Sequence, residues 1–270
     1  MHAYEELSIC ERYKAGESIP KLSREFKLSR YAVWSTLKRN GVPRRPISET
    51  LRMIRGYPLD ESYFEKIDTA EKAYWLGFLC ADGYLRRDGR WSLRVELELG
   101  ARDMIHLEKF RRALKTSLPI QHKLKGTCAL QIRSKRLHNA LVSHGMTSDK
   151  SLRSKLFTNL PPMLISHFVR GFFDGDGSIS FDRQGKQWRI SFCGGYEMIY
   201  QLREQLIKAT SVKGNKICRQ GNIHELFYKG NIQVPKILLW LYKDATVYLD
   251  RKYELAMKAI NNPRKQSLQK

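Results

Sequence analysis

The sequence predicts an α+β fold in which one αββαββα unit is written twice, preceded by a small all-α module. Three observations predict it. An apolar nonapeptide ending in Asp-Gly occurs at 75–83 and again at 169–177, its closing aspartates 94 residues apart. Each copy is followed by the same order of alternating and helix-periodic apolar stretches. The first 45 residues carry helical periodicity alone.

In chain order, YEELSICERYK at 4–14 reads as a helix stopped by Gly16. Ile19, Leu22 and Phe26 then fall at spacings of three and four, a second amphipathic helix. Ser29 is a good N-cap for a third, whose buried stripe is Val33 and Leu37 and whose end is Gly41. Three short helices with a tight link between the second and third make a helix-turn-helix. AGESIPKLSREFKLSR followed by LKRNGVPRR resembles the helix-turn-helix of resolvases and transposases. That resemblance implies a recognition helix at 29–40 with Arg30, Tyr31, Ser35 and Lys38 toward DNA, and a backbone or minor-groove arm formed by Arg44 and Arg45. The module is expected to span 1–45, with a linker at 46–68 containing Pro46, Gly56 and Pro58.

The first unit is expected at 69–158 and the second at 159–262, before a basic tail at 263–270. WLGFLCADG is apolar at every position before its Asp, so its helix has no solvent face and must be buried. VRGFFDGDG behaves alike apart from Arg170 and Asp174. Small residues four apart, Gly77 with Ala81 and Gly171 with Gly175, let two helix backbones approach closely, so the two motif helices are expected to pack on each other. A hairpin follows each. Leu93, Val95, Leu97 and Leu99 alternate with polar residues after an Asp88-Gly89 turn; Trp188, Ile190 and Phe192 alternate after Gly185, and Trp91 and Trp188 occupy matching places. Each unit continues with a helix (103–114, 196–207), a second strand pair (123–134, 216–230) and a closing helix.

Each motif helix ends on a carboxylate, at the negative end of its macrodipole, which costs up to about 1 kcal/mol. Packing two such ends together adds like-charge repulsion. A divalent cation would offset both: carboxylates are hard ligands suited to Mg²⁺, which takes one or two of them with water and phosphate. Two carboxylates holding metal beside phosphates is a nuclease arrangement. The charge agrees. Lys plus Arg number 49 against 27 Asp plus Glu, a net +22 over 270 residues. A compact protein at that charge repels itself without an anionic partner, and nucleic acid is preferred over an anionic membrane surface. At 42% hydrophobic the chain is no disordered polymer, and no apolar run reaches the length of a membrane span. The N-terminus lacks a signal-peptide core, and the five cysteines form no metal-ligand spacing, so a cytoplasmic protein with reduced thiols is expected, nucleoid-associated in a bacterial or phage-infected cell.

WLGFLCADG and VRGFFDGDG resemble the signature of the LAGLIDADG homing endonucleases in their single-chain, two-motif form, over about 62–262. The resemblance implies a pseudo-twofold saddle whose sheets straddle double-stranded DNA. It implies that Asp82 and Asp176 bind Mg²⁺ (or Mn²⁺) and that each supports cleavage of one strand. It further implies that Ala81 and Gly175 lend nearby backbone carbonyls, with Gly77, Ala81, Gly171 and Gly175 at the helix interface. Lys150 and Lys252 stand where intein-type members carry a catalytic lysine. The sixth motif letter differs, Cys80 against Asp174, and little effect is expected there because that position is no metal ligand of the family. Arg86, Arg87, Arg90, Arg94, Arg133, Lys135, Arg183, Lys186, Gln187 and Arg189 form the expected reading surface. Residues 101–156, with 13 Lys or Arg against 3 Asp or Glu, are expected along the backbone. The reading is a monomeric, site-specific, metal-dependent double-strand endonuclease, free-standing or intron-borne (intron homing) since no splicing blocks flank the units. The alternatives are a non-cleaving DNA-binding regulator, or an RNA maturase on the same fold. A recombinase ranks lowest, because no catalytic domain with a Ser or Tyr nucleophile is visible.

Overall fold

A computed structural model describes residues 3–46, 57–88, 92–124, 126–147 and 160–261. Gly89 of the expected turn, Arg90, Trp91, Lys150, residues 47–56 of the expected linker and the tail at 263–270 lie outside the described residues. The chain divides into two compact units, Met1–Leu59 and Asp60–Lys270.

In the first unit, α1 (Ala3–Lys14), α2 (Ile19–Glu25) and α3 (Arg30–Arg39) close on Ile9, Cys10, Tyr13, Leu22, Val33, Leu37 and Val42. Ser18 and Ser29 are the N-caps; their hydroxyls accept from the amides of Lys21 and Ala32 at 3.3 and 3.0 Å. Gly41 turns the chain after α3 at φ +64°, which favours glycine.

The second unit begins earlier than the sequence predicts. Residues 60–68 are not linker: Tyr63, Phe64 and Ile67 are buried, and the Asp60 amide donates to the Leu114 carbonyl at 2.9 Å. A polar, Pro- and Gly-punctuated stretch reads as a linker, and only tertiary packing shows that its apolar end belongs to the core.

Thr69 caps α4 (Ala70–Asp82), which runs straight into β1 (Gly83–Asp88). Then follow β2 (Ser92–Gly100), α5 (Met104–Ala113), β3 (Gln121–Lys123), β4 (Thr127–Arg133) and α6 (Lys135–Ser143). The second repeat is α7 (Ile165–Asp176), β5 (Gly177–Asp182), β6 (Gln187–Gly194), α8 (Tyr196–Thr210), β7 (Ile217–Gln220), β8 (Ile223–Lys229) and α9 (Gln233–Tyr242). The antiparallel sheets share one order, β1-β2-β4-β3 and β5-β6-β8-β7. The fold is therefore the expected α+β duplication. Among the described residues one helix goes beyond the expected elements: α10 (Asp250–Asn261), which follows the second repeat and carries Lys252.

The motif helices are central. Residues 73–81 of α4 are buried throughout. A Cβ at Gly77 would collide with the Phe168 carbonyl, and one at Gly171 with the Tyr74 carbonyl. Both glycines exist so that two backbones can touch. Contacts advance together, from Tyr74 against Gly171 to Ala81 against Gly175, so the helices run parallel and end side by side. Among the described residues, no helix is long and apolar enough to cross a membrane.

Candidate active site and nucleic-acid interface

Because α4 and α7 are parallel, their last residues, Asp82 and Asp176, meet at one end of the interface. A Cβ built on Gly175 would lie 3.3 Å from an Asp82 carboxylate oxygen, so Asp82 rests against the end of the opposite helix. Both aspartates are half-buried. Ala81 and Gly175 are in contact at the same end. Among the described residues, no three His, Cys, Asp or Glu side chains assemble as a metal cage. The donor set fits the open type: two hard carboxylates at a partly exposed rim, with coordination left for water and phosphate.

Lys252 lies in the first turn of α10, 3% exposed. Its Nζ donates to the carbonyls of Phe173, Asp174, Gly175 and Gly177 at 2.5–3.3 Å. It thus caps the last turn of α7, where a cation is favoured by the dipole. Burial pushes it down to about 8, with Arg251 pushing the same way and Asp174, Asp82 and Asp176 pulling it up. The structure thus brings Lys252 to the aspartates. It also gives the Gly175 carbonyl, expected to face a metal, an ammonium donor at 3.3 Å.

At the sixth motif position the two repeats bury different chemistry, Cys80 in the first and Asp174 in the second. Asp174 is 1% exposed and accepts from Tyr242 Oη at 2.6 Å, Tyr74 Oη at 2.8 Å and the Leu249 amide at 2.8 Å. Burial raises its carboxyl, opposed by those hydrogen bonds and by Lys252. Arg170, fully buried, donates to the Leu241 and Val247 carbonyls, each at 3.0 Å. The first repeat has Leu76 and Cys80 in these places. Tyr74 Oη also meets His106 Nε2 at 2.9 Å. Since the single tyrosine proton goes to Asp174, His106 donates through Nε2. Burial, with Lys109 and Arg251 adding to it, pushes His106 down to about 3, so it is neutral.

Strand register decides which basic residues share a face. On the first sheet the outward rows are Arg86–Arg94–Arg133, Tyr84–Glu96–Gln131 and Glu98–Ala129–Gln121. Arg87 belongs to the opposite face, toward the helices, where it acts on His138. Lys135 is the first residue of α6 rather than a strand residue. Arg86 and Arg94 are not simple free readers. Glu96, 2% exposed, faces Arg86 Nε at 3.2 Å and Lys123 Nζ at 2.9 Å and accepts from Gln131 at 3.0 Å, while Arg94 donates to Gln131 at 3.2 Å. Burial pushes the Glu96 carboxyl up, but hydrogen bonds from Lys123 and Gln131 outweigh it and hold it below the usual range. Glu98 is tied to Lys123 and Thr127. Charge count alone could not locate this cluster; the alternation that put Arg94, Glu96 and Glu98 on one face was its signal.

The second sheet's outward rows are Ser180–Arg189–Lys229, Ser178–Ser191–Phe227 and Cys193–Glu225–Cys218. Arg189 pairs with Asp182 at 2.9 Å; Arg183 and Lys186 sit exposed on the β5–β6 turn, and Gln187 opens β6.

In the first unit, Arg30, Tyr31, Ser35 and Lys38 are all exposed on α3, Tyr31 at 77%. Arg44 is exposed near Trp34. Arg45 departs from the expected arm. Its guanidinium lies over the Tyr13 ring at 3.8 Å and donates to the carbonyls of Tyr13, Gly16 and Glu17. Three carbonyls at the α1 end hold it, so it pins the turn after α1.

No protein-family model and no curated protein matches the sequence. Among solved structures the chain is similar to the LAGLIDADG meganuclease I-AabMI bound to uncleaved DNA, at 14% identity and TM-score 0.49, over 70% of this chain and 89% of that one. It is also similar to the LAGLIDADG homing endonuclease I-LtrWI bound to target DNA, at 12% identity and TM-score 0.47, over 74% and 90%. A third similarity is to the LAGLIDADG homing endonuclease I-GzeII in complex with its DNA target, at 12% identity and TM-score 0.49, over 70% and 88%.

Proposed function

We propose that this protein is a LAGLIDADG-type homing endonuclease: a site-specific, divalent-metal-dependent nuclease that hydrolyses one phosphodiester on each strand of a long DNA target. The observation that carries the reading is the convergence of Asp82 and Asp176 at the ends of two parallel, backbone-touching helices. Like charges placed together at two negative dipole ends make no sense for stability alone. They do make sense as ligands of Mg²⁺ or Mn²⁺. The metal would supply charge neutralisation at a scissile phosphate and an activated water. Asp82 and Asp176 would hold it, and Lys252 keeps the end of α7 rigid beside them.

Two outward sheet faces, one per repeat, flank the site and present Arg, Lys, Gln and Ser side chains to base edges. The helix-turn-helix module extends the contacted sequence through the exposed face of α3. Removing residues 1–45 is expected to weaken target affinity about tenfold or more while leaving cleavage intact at saturating enzyme. A folded truncate that cuts at no concentration would show the module to be part of the catalytic apparatus.

The experiment that tests the reading is a cleavage selection on randomised duplexes with Mg²⁺ and with EDTA, followed by sequencing of the ends. Mg²⁺-dependent breaks at one long site with a 3′ overhang are the expected result. Selective binding without breaks would make the protein a regulator, and neither binding nor breaks would direct the search to RNA.

A further inference from the structure

We propose that Asp174 is a positioning residue that serves the second active site alone, so that the two strands of the target are cut with unequal structural support. The proposal rests on the endonuclease reading above.

The second repeat reaches Lys252 through the connection from α9 to α10. Two side chains of the second motif helix grip that connection. Arg170 takes the carbonyls of Leu241 and Val247. Asp174 takes the Tyr242 hydroxyl, at the end of α9, and the amide of Leu249. The Leu249 carbonyl accepts from the amides of Lys252 and Tyr253, each at 3.0 Å, so Leu249 starts the first turn of α10. Asp174 therefore fixes the peptide from which that turn is built, and Lys252 projects from it onto the carbonyls of Phe173, Asp174, Gly175 and Gly177, at the end of the helix that carries Asp176. The third partner, Tyr74, belongs to the first motif helix and anchors the carboxylate to the interface itself.

The buried carboxylate is satisfied by three donors, the condition under which such a group becomes a rigid fixture. Cys80 cannot do the same. A thiol is a weak acceptor with one sulfur, and Leu76 has no polar atom in the place of Arg170. Among the described residues, the clamp is built on the second motif helix.

The test installs the first repeat's residue, Asp174→Cys, beside the milder Asp174→Asn, which keeps one oxygen acceptor and is isosteric. Single-turnover cleavage is followed on a duplex carrying a different label on each strand. Hydrogen exchange over the 249–253 segment and the rate of amine labelling at Lys252 are read on the same proteins without metal. The expected result for Asp174→Cys is one strand slowed at least about tenfold and the other changed less than about twofold, so that nicked duplex accumulates. Exchange at 249–253 and labelling of Lys252 rise together, DNA binding is retained, and Asp174→Asn falls between wild type and Asp174→Cys. Equal slowing of both strands, or strand-selective slowing with unchanged exchange and labelling, overturns the proposal. If Asp174→Cys does not fold, Asp174→Asn decides by the same signs at smaller amplitude. Wild-type protein that cuts neither strand of any duplex defeats the endonuclease reading instead; unchanged exchange and labelling in both variants would then also remove the clamp.

Discussion

The two motif helices meet the same backbone demands with different interior chemistry. Gly77 and Gly171 are interchangeable in role: each accepts the other helix's carbonyl where a methyl would not fit. Asp82 and Asp176 end the helices alike. Between these fixed points the copies part. The first fills its interior with Leu76 and Cys80, the second with Arg170 and Asp174, both buried and both hydrogen-bonded to the α9–α10 connection. Duplicated geometry thus constrains where two backbones touch and where the carboxylates lie, and leaves the support of each site free to diverge.

The strongest way to break the comparison is at the carboxylates. Asp82→Asn and Asp176→Asn are each expected to lower double-strand cutting by on the order of a thousandfold while DNA binding persists, measured by gel cleavage and by binding in Ca²⁺. If one substitution were silent, the two helix ends would not be equivalent parts of one site.

The glycine pair comes next. Gly77→Ala and Gly171→Ala should each destabilise the second unit by roughly 3 kcal/mol, because the colliding atoms are main-chain carbonyls that cannot rotate away. Urea unfolding reads this, and a large difference between the two would mean that the approach is not reciprocal.

Acid sensitivity should separate the repeats further. The first buries His106 and Leu107 on α5, where the second buries Met198 and Ile199 on α8. His106, held near 3 by burial with Lys109 and Arg251, binds fewer protons folded than unfolded between about pH 3 and 6.5. Its contribution to stability is therefore complete above pH 6.5 and falls as the pH is lowered. From pH 6.5 to 5 the loss is about 2 kcal/mol. His106→Met should flatten that part of the pH–stability curve, and an unchanged slope would show that His106 is not the sensor.

The smallest effects concern the sheets. The outward face of the first repeat is an ionic lattice around Glu96, whereas that of the second is largely Ser, Cys and Phe with Arg189 and Lys229. Glu96→Gln should release Arg86, leaving Lys123 on Glu98, and change sequence preference in one half-site by about 1 kcal/mol per affected base pair. Arg189→Ala should act only in the other half. Specificity profiles that shift in both halves would contradict the division of labour.

The order of elements, the two motif helices and their closing aspartates were legible because each rests on local signals: apolar period, small-residue spacing, N-cap serines and turn residues. Ser29 and Gly41 bounded α3 before any tertiary contact was known. Arg45 was misread as an arm because a basic residue between prolines carries no local sign of the carbonyls it caps. Arg87 was grouped with Arg86 because adjacency on a strand hides the change of face. Residues 60–68 passed for linker because their core partners lie far along the chain, as with Asp60 and Leu114.

By itself the sequence determined that the chain is duplicated, that its two carboxylates end buried helices, and that it carries a net charge of +22. Those are properties of period, spacing and sum, which need no coordinates. Only the tertiary structure decided that α4 and α7 run parallel, that Lys252 enters the site from an additional helix, and that Asp174 holds that helix in place. Such decisions join residues 75 or more positions apart through buried hydrogen bonds, whose partners are chosen by packing and leave no trace in local pattern.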